Sequence, residues 1–367
     1  MGRTGVRRAA QAGSPLIETA DLDQGAVGFL GRVLGTPFRA SRIAGDASSK
    51  RFYRIRVGRP GGSGAVSRGG KGSRRPPAPP KTTILMINPE PLDPSSPLLT
   101  NHRILEAIGA PVPRILALDA RPGLVLTEDL GDTTLQLHLL GEERRRARES
   151  RRLYRQACDL IVLLQTEAAR VIRPDDFAAR NALDRERFLF ELEHFHRHYI
   201  LGLKGMTPEP PEDALLKAFY ADLAESCDRM PRVYCHRDFM SRNLMVAGTR
   251  LGLIDYQDAR MGPYAYDAAS LLRDSSLDLD EDLVGEMIDY LARRLGVGPE
   301  ELRRDFDTMA LERNLKELGT FGFMVTERQL RIYLDYVPRA IASARRTLLS
   351  DRRYHFVFPV LDRYLIP

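Results

Sequence analysis

The sequence contains no tryptophan, only three cysteines and no long apolar run. Cys158, Cys227 and Cys235 are too few and too irregularly spaced for a disulfide framework or a zinc site, so we expect a reducing, cytoplasmic environment. A transmembrane helix needs about 18 or more consecutive apolar residues, and the lack of such a run predicts that no membrane is a partner. The N-terminal arginines are not followed by an apolar core, which argues against a secretory signal and predicts a flexible tail over residues 1–21.

Acidic residues are missing from one segment. The chain has a formal charge of +6, and residues 58–81 contain six basic side chains and no acid, so the rest of the chain is formally neutral. No folded basic face is therefore implied, and we predict no nucleic-acid partner. The segment is rich in Gly, Pro and Ser, which predicts a disordered basic insertion. A basic tether to an acidic partner or a membrane surface is the alternative.

The most informative stretch runs from Val233 to Asp255. It contains His236-Arg237-Asp238, then Asn243, and then two short apolar segments around a turn. This order is typical of the catalytic and metal loops of kinase-like phosphotransferases. Asp238 is predicted to orient a substrate hydroxyl and accept its proton. His236 is predicted to support the loop by hydrogen bonding.

The same stretch predicts a metal site. Leu244–Val246 and Leu251–Ile254 have the pattern of two strands of a hairpin, which would bring Asn243 and Asp255 together at one end. An amide oxygen and a carboxylate are ligands that suit Mg²⁺. We therefore predict that Asn243 and Asp255 bind Mg²⁺.

A polar turn between two predicted strands is a candidate for covering phosphates. Backbone N–H groups of Ala47, Ser48 and Ser49 could face phosphate oxygens, and Lys50 or Arg51 could add positive charge. Such turns are common, so this prediction depends on the turn preceding the catalytic stretch. The predicted ligand is ATP.

A polar break with glycine at residues 128–132 predicts a hinge. Backbone groups near Glu128 and Leu130 would read the adenine edge of a nucleotide in the cleft between two lobes. The predicted N-lobe covers residues 22–127, and the predicted C-lobe covers residues 133–367. The fold class is α+β: a bilobal, protein-kinase-like fold with a small β-rich N-lobe and a larger, mainly helical C-lobe.

Helical spacing of apolar residues predicts most of the C-lobe. Asp267, which opens the segment 267–274, is predicted to be a helix N-cap. A helix over Arg185–Tyr199 carries three histidines two residues apart, and this spacing directs them to different sides. His194 and His198 alone would share a face, and we expect no metal site there.

The chain resembles the aminoglycoside phosphotransferase family and, more narrowly, the bacterial N-acetylmuramate/N-acetylglucosamine anomeric kinases of cell-wall recycling. The resemblance covers about residues 25–345 apart from the insertion. It rests on six motifs: Gly45–Ser48 with Arg51 to Arg54, Val112–Leu116, Leu126–Gly131, His236–Met245, Ile254–Pro263 and Tyr266–Asp274.

This resemblance implies ATP-dependent phosphorylation of the anomeric hydroxyl of a small-molecule amino sugar. It implies that Asp238 is the base and that Asn243 and Asp255 are the Mg²⁺ ligands. Four polar residues of the helical lobe are candidates for holding the sugar by their position: Arg260, Arg313, Asn314 and Lys316.

One departure from many kinases leaves alternatives open. Met86 stands about where a third-strand lysine would hold the phosphates. Lys50, Arg51 or Arg54 could replace this lysine, or Mg²⁺ and backbone groups could suffice. An aminoglycoside, choline or homoserine-like acceptor is a second enzyme hypothesis. A nucleotide-binding pseudokinase is a hypothesis of a different class, supported only by the missing lysine.

Overall fold

The computed structural model describes residues 21–43, 49–58, 82–140 and 146–366. The predicted tail up to residue 20, the predicted basic insertion from residue 59, and the turn residues Ala47 and Ser48 lie outside the described residues. The described chain separates into two compact units. Unit 1 contains the residues up to Asp93 together with Pro113–Asp129, and unit 2 contains Pro94–Val112 and the residues from Leu130 onward.

Unit 1 is a five-stranded antiparallel sheet with one helix packed on it. The strand order is β1-β2-β3-β5-β4. Its core joins Phe29 and Leu30 of the helix to Tyr53, Leu85 and Leu126 of the sheet. The elements are α1 (Gln24–Leu34), β1 (Phe38–Ile43), β2 (Arg51–Val57), β3 (Thr82–Ile87), β4 (Ile115–Asp119) and β5 (Leu124–Glu128).

Two local features define the ends of these elements. The Asp23 side chain caps α1 by accepting a hydrogen bond from the Ala26 backbone N–H at 2.8 Å. The turn between β4 and β5 passes through Gly123 at φ +69°, where a Cβ atom would lie 2.6 Å from the Asn88 carbonyl oxygen. Only glycine fits this turn without displacing the backbone beside it.

Unit 2 is mainly helical and contains two short antiparallel ribbons, β6 with β9 and β7 with β8. The predicted α+β class, with a β-rich part and a larger helical part, is confirmed. No helix within the described ranges is both long and apolar enough to span a membrane. The helices are α2 (Pro97–Ala107), α3 (Leu135–Leu140), α4 (Arg146–Glu167), α5 (Phe177–Arg180), α6 (Arg185–Phe195), α7 (Pro210–Asp228), α8 (Tyr266–Leu272), α9 (Glu281–Leu295), α10 (Pro299–Thr326), α11 (Val337–Ser350) and α12 (Phe358–Tyr364), and the strands are β6 (Arg232–Cys235), β7 (Leu244–Ala247), β8 (Arg250–Leu253) and β9 (Arg260–Pro263).

Helix α2 belongs to unit 2, although residues 22–127 are predicted to form the N-lobe. The Asn101 side-chain amide donates to the carbonyl oxygens of Gln257 and Ala259 at 3.0 and 3.1 Å. His102 Nδ1 lies 2.9 Å from the Tyr256 hydroxyl. These contacts join α2 to the loop between β8 and β9, which explains its grouping with the helical unit.

Helix α10 is the central element of unit 2, and it packs against α6, α7, α8, α9 and α11. It also packs against a π-helical segment, His196–Leu203, that continues α6. Two glycines of α10 allow this close approach. A Cβ atom on Gly319 would lie 2.7 Å from the Phe195 backbone, and one on Gly322 would overlap the His198 carbonyl group. The length and central position of α10 place its polar residues at the base of the site described below.

The glycines of α10 give a stability prediction. Gly322→Ala is expected to lower the free energy of unfolding by about 1–3 kcal/mol, because the added methyl group must displace backbone atoms. Gly285→Ala in α9 is the matched control, since its nearest neighbour is the Arg303 side chain at 3.7 Å. That variant is expected to gain about 0.5–1 kcal/mol from helix propensity. Urea denaturation followed by circular dichroism measures both, and equal shifts in the two variants would contradict the packing described here.

Candidate active site

The backbone of the predicted catalytic loop, residues 236–243, is held by one buried carboxylate. Asp267 in α8 accepts hydrogen bonds from the backbone N–H groups of His236, at 2.7 Å, and Arg237, at 3.0 Å. Arg237 has φ +75°, a conformation that costs free energy in a residue with a side chain. The two hydrogen bonds from one carboxylate stabilise that conformation and thereby orient Asp238.

Asp267 is not a helix N-cap, so this sequence prediction is wrong. Helix α8 begins at Tyr266, its N-cap is Ala265, and Asp267 lies within the first turn. The Asp267 side chain turns away from its own helix and is 1% exposed. Burial raises its pKa above the usual range, against the hydrogen bonds from the loop that lower it.

A second carboxylate holds the next turn of the loop. Asp274 accepts hydrogen bonds from the backbone N–H of Ser241 at 2.9 Å and from its hydroxyl at 2.6 Å. The other Asp274 oxygen accepts from the backbone N–H of Ser276 at 2.9 Å. Ser241 opens the short 3-10 turn that ends at Asn243. Both carboxylates that support the loop therefore follow it in the sequence by about 30 residues.

His236 joins the predicted catalytic loop to the end of β8. Its side chain is fully buried, and its Nε2 lies 3.1 Å from the Ile254 carbonyl oxygen. Phe239 packs against the imidazole ring edge-on, with 5.7 Å between ring centroids. His236 thus contacts the residue that immediately precedes Asp255.

Asn243 and Asp255 emerge at the same end of the β7–β8 hairpin. The Ile254 backbone N–H donates to the Asn243 carbonyl oxygen at 3.1 Å. The Asn243 side chain donates its Nδ2–H to the Asp238 carbonyl oxygen at 2.8 Å, which leaves its Oδ1 as an acceptor. Asp255 is exposed, has φ +65°, and accepts a hydrogen bond from Gln257 at 2.8 Å.

This donor set fits a magnesium ion that is shared with a phosphate ligand. Mg²⁺ usually binds through one or two carboxylates while water and phosphate oxygens complete its octahedron. Within the described ranges, no group of three or more His, Cys, Asp or Glu side chains could hold a metal by itself. Asn243 and Asp255 would therefore supply two oxygen ligands, and an all-protein cage is not required.

Asp238 lies among cations. Burial disfavours its ionised form, but Lys316, Arg237 and Arg313 attract the negative charge, and the net effect holds its pKa below the usual range. Asp238 is therefore a carboxylate at neutral pH. This is the protonation state that accepting a proton requires.

The four predicted sugar-binding residues differ in their exposure. Arg313 and Asn314 are at most 2% exposed. The Arg313 side chain donates to the Arg237 carbonyl oxygen at 3.3 Å, and the Asn314 side chain donates to the Arg273 carbonyl oxygen at 3.4 Å. Arg260 and Lys316 each keep 16% of the side chain exposed. Arg313 and Asn314 therefore hold the protein's own loops in the described structure. A sugar contact by any of the four stays a prediction.

A buried pair of acids supports these cations. Glu191 in α6 accepts hydrogen bonds from Arg187 and Arg237, both at 3.2 Å, and its Oε1 lies 3.7 Å from Lys316 Nζ. Glu312 in α10 is fully buried, and no described residue donates a hydrogen bond to either of its carboxylate oxygens. Burial, followed by the Glu191 charge, raises the pKa of Glu312 well above the usual range. The raised pKa favours a protonated Glu312, which can donate a hydrogen bond to the Glu191 carboxylate.

Sequence reasoning assigned no role to Glu191, Glu312 or Asp274. Glu191 and Glu312 meet only because α6 packs against α10, and no local pattern reports that contact. A signal for Asp267 and Asp274 was present in the motif Tyr266–Asp274. Two carboxylates within an apolar helical stretch require buried partners.

The residues predicted to contact nucleotide lie in several places. In unit 1, Ser49 is exposed, and the guanidinium group of Arg51 lies 3.7 Å from Asp23. Lys50, next to Arg51, is half-buried. Glu128 ends β5, and its carboxylate lies 3.3 Å from Arg114.

Leu130 belongs to unit 2, and its side chain contacts Gly252 of β8 so closely that a Cβ atom there would lie 2.7 Å away. Met86 is buried in β3, opposite Phe52 and Val125. Arg54 of β2 makes a two-point ion pair with Asp129, at 2.8 and 3.2 Å. This pair occupies the guanidinium group that the sequence offered as one replacement for the missing lysine.

Comparison with known proteins places these observations in a family. Residues 66–305 match the family described as "Phosphotransferase enzyme family". The chain is 30% identical over 272 residues to an N-acetylmuramate/N-acetylglucosamine kinase of Neisseria meningitidis serogroup B, covering 72% of this chain and 77% of the relative. It is 31% identical over 284 residues to an N-acetylmuramate/N-acetylglucosamine kinase of Pseudomonas aeruginosa, covering 74% and 80%.

A solved structure supports the fold. The crystal structure of an ADP-bound aminoglycoside phosphotransferase matches with a TM-score of 0.56 and 15% identity, covering 87% of this chain and 97% of that chain. At this identity the similarity shows the fold alone. The kinase-like fold predicted from the sequence is confirmed.

The protonated Glu312 gives a prediction for pH dependence. Above the unfolded-state pKa of about 4.3, the unfolded chain releases a proton that the folded protein keeps, so stability falls as the pH rises towards the raised folded-state pKa. Glu312→Gln removes this loss and can still donate a hydrogen bond to Glu191. From about pH 5 to pH 8 the variant is expected to gain stability relative to the native sequence, by up to about 1.4 kcal/mol per pH unit.

Urea denaturation of both proteins at several pH values measures this difference. Glu191→Gln is the matched comparison, because it makes the same chemical change on the other side of the hydrogen bond. It is expected to destabilise the fold at every pH, since Arg187, Arg237 and Lys316 lose their shared carboxylate. A constant difference between Glu312→Gln and the native sequence would show that Glu312 is ionised in the folded protein.

Proposed function

Because the chain belongs to the phosphotransferase enzyme family, we propose that it transfers the terminal phosphoryl group of ATP to the anomeric hydroxyl of an amino sugar. The proposed acceptor is N-acetylglucosamine, N-acetylmuramate or both, and the proposed setting is the recycling of cell-wall sugars in the cytoplasm. The observation that carries the proposal is the ionised Asp238 on a loop held by Asp267, next to the two oxygen donors of Asn243 and Asp255. The names of the relatives support the choice of acceptor.

In the proposed reaction, the sugar hydroxyl oxygen attacks the terminal phosphorus, and the bond from that phosphorus to the bridging oxygen breaks to release ADP. Asp238 orients the hydroxyl by accepting its hydrogen bond and takes the proton as the new bond forms. The cations that keep Asp238 ionised also make it a weak base. Its main contribution is therefore orientation, and proton transfer comes late in the step.

Asn243 and Asp255 would hold Mg²⁺, which when bound neutralises phosphate charge. The hydrogen bond from the Asn243 side chain to the Asp238 carbonyl oxygen sets the distance between the proposed ligand and the proposed base along the loop. The Gln257 side chain donates a hydrogen bond to one oxygen of Asp255, whose side chain is exposed. In unit 1, Ser49, Lys50 and Arg51 remain the proposed contacts for ATP phosphates.

The alternative acceptors fit the site less well. An aminoglycoside is a polycation, and a site that binds it should present clustered acids. The groups around Asp238 are instead Arg237, Arg313 and Lys316. A pseudokinase is supported by Met86 in β3, but such a protein would not need Asp238, Asn243 and Asp255 in this arrangement.

Asp238→Asn is expected to lower kcat by about 10²–10⁴-fold, because the amide cannot accept the hydroxyl proton. The fold should persist, since the Asp238 side chain accepts none of the hydrogen bonds that hold the loop. ADP release across N-acetylglucosamine, N-acetylmuramate, an aminoglycoside and choline measures both activity and acceptor. Native-like turnover in the purified variant, or turnover only with choline or the aminoglycoside, would contradict the proposal.

Asp255→Asn is expected to raise the Mg²⁺ concentration for half-maximal activity by about tenfold or more, because a neutral amide replaces the only proposed carboxylate ligand. Gln257→Ala is the matched control, since it removes the hydrogen bond to Asp255 but keeps the carboxylate. A magnesium titration of initial rates separates the variants. The ligand assignment fails if both variants need the same Mg²⁺ concentration as the native sequence.

A further inference from the structure

Two arginines, Arg237 next to Asp238 in the chain and Arg260 in β9, converge on one carboxylate. Arg237 Nη1 and Arg260 Nη2 each lie 3.8 Å from Asp258 Oδ1. At this distance each arginine forms an ion pair with Asp258, but the separation is too long for a hydrogen bond. Neither nitrogen donates a hydrogen bond to any residue that the structure describes, and the Asp258 side chain is 44% exposed.

Both guanidinium groups are held in place by other contacts. Arg237 donates from Nη2 to Glu191 at 3.2 Å. Arg260 donates from Nη1 to the Asn181 carbonyl oxygen at 3.2 Å and lies over the Phe177 ring at 5.0 Å. One terminal nitrogen of each arginine is therefore engaged with the protein, while the other faces Asp258. The two terminal nitrogens that face Asp258 form a pair of donors without a hydrogen bond to it at 3.8 Å.

The surroundings of this pair favour an additional negative charge. Burial lowers the pKa of Arg260, and repulsion from Arg237 and Arg187 lowers it further. Asp258 and Glu191 offset part of this repulsion, but Glu191 is shared with Arg187, Arg237 and Lys316. An anionic ligand would relieve this repulsion, and a carboxylate suits two guanidinium groups because each can donate in a planar geometry.

We propose that Arg237 and Arg260 form a carboxylate subsite beside Asp238, and that the preferred acceptor is an amino sugar carrying a carboxylate. The inference rests on the proposed function and narrows it: N-acetylmuramate, which has a carboxylate, is a better substrate than N-acetylglucosamine, which has none. Asp258 already places a carboxylate between the two arginines. Because Asp258 is partly exposed, it can turn towards solvent when the sugar carboxylate binds.

The same two arginines could instead bind a phosphate of ATP, and the kinetic test separates the two anions. Steady-state rates are measured with each sugar at saturating ATP, and with ATP varied at saturating sugar. For Arg260→Gln, the ratio of kcat/KM for N-acetylmuramate to that for N-acetylglucosamine is expected to fall by roughly tenfold to a hundredfold, the range for a lost charge-assisted hydrogen bond. Arg260→Lys should restore part of the ratio, because it keeps the charge and loses the planar pair of donors.

Arg185→Gln is the matched control, since it removes one positive charge from a surface ion pair with Glu225. In this variant the ratio of kcat/KM for N-acetylmuramate to that for N-acetylglucosamine should equal the ratio of the native sequence. Thermal unfolding of every variant checks folding, and calorimetric binding of both sugars to Asp238→Asn measures the preference without turnover. Tighter binding of N-acetylmuramate in this variant is the expected result.

Three results would overturn the subsite. The first is a ratio of kcat/KM for the two sugars that is unchanged in Arg260→Gln. The second is a raised KM for ATP in that variant with the same unchanged ratio. The third is equal binding of both sugars to Asp238→Asn. In each of these cases the enzyme still phosphorylates a sugar, so the proposed function stands while the subsite fails. If the native protein phosphorylates neither sugar, the proposed function itself fails and the subsite fails with it.

Discussion

The site depends on the hydrogen bonds that Asp267 accepts from the backbone of His236 and Arg237. A positive φ at Arg237 is unfavourable by itself, and a buried carboxylate is unfavourable without donors. The two hydrogen bonds offset both costs, because they stabilise the positive φ at Arg237 and give the buried Asp267 carboxylate its donors. The donors are backbone groups and the Asp267 side chain is nearly fully buried, so the loop has little conformational freedom. Asp238 is therefore oriented before any substrate binds. The conformation that costs free energy in folding is thus the one that the proposed chemistry uses.

A second constraint is the balance of charge around Asp238. Several cations and acids are buried where water cannot solvate them, so each must find a partner. The protein meets this requirement by keeping Glu312 protonated, which lets two acids lie in contact and leaves one negative charge on Glu191 for Arg187, Arg237 and Lys316. The remaining positive charge attracts anions. Phosphates and a sugar carboxylate are both anions, so the same balance would serve the proposed donor and the proposed acceptor.

The hairpin and the family are predictable from the sequence, because these signals are local and have fixed spacing. The roles of Asp238, Asn243 and Asp255 stay predictions. The sequence did not predict the role of Asp267, since an Asp before a helical pattern resembles an N-cap until its partners are known. It also could not predict that Glu191 and Glu312 form a pair, because that contact depends on how α6 packs against α10.

The identity of the phosphorylated atom tests the central claim most directly. The protein would be incubated with ATP, Mg²⁺ and N-acetylmuramate or N-acetylglucosamine, and the product examined by two-dimensional ¹H–³¹P nuclear magnetic resonance. The account predicts one new phosphorus signal that correlates with the anomeric proton of the sugar. A correlation with any other sugar proton, or ATP consumption without a sugar phosphate, would contradict it.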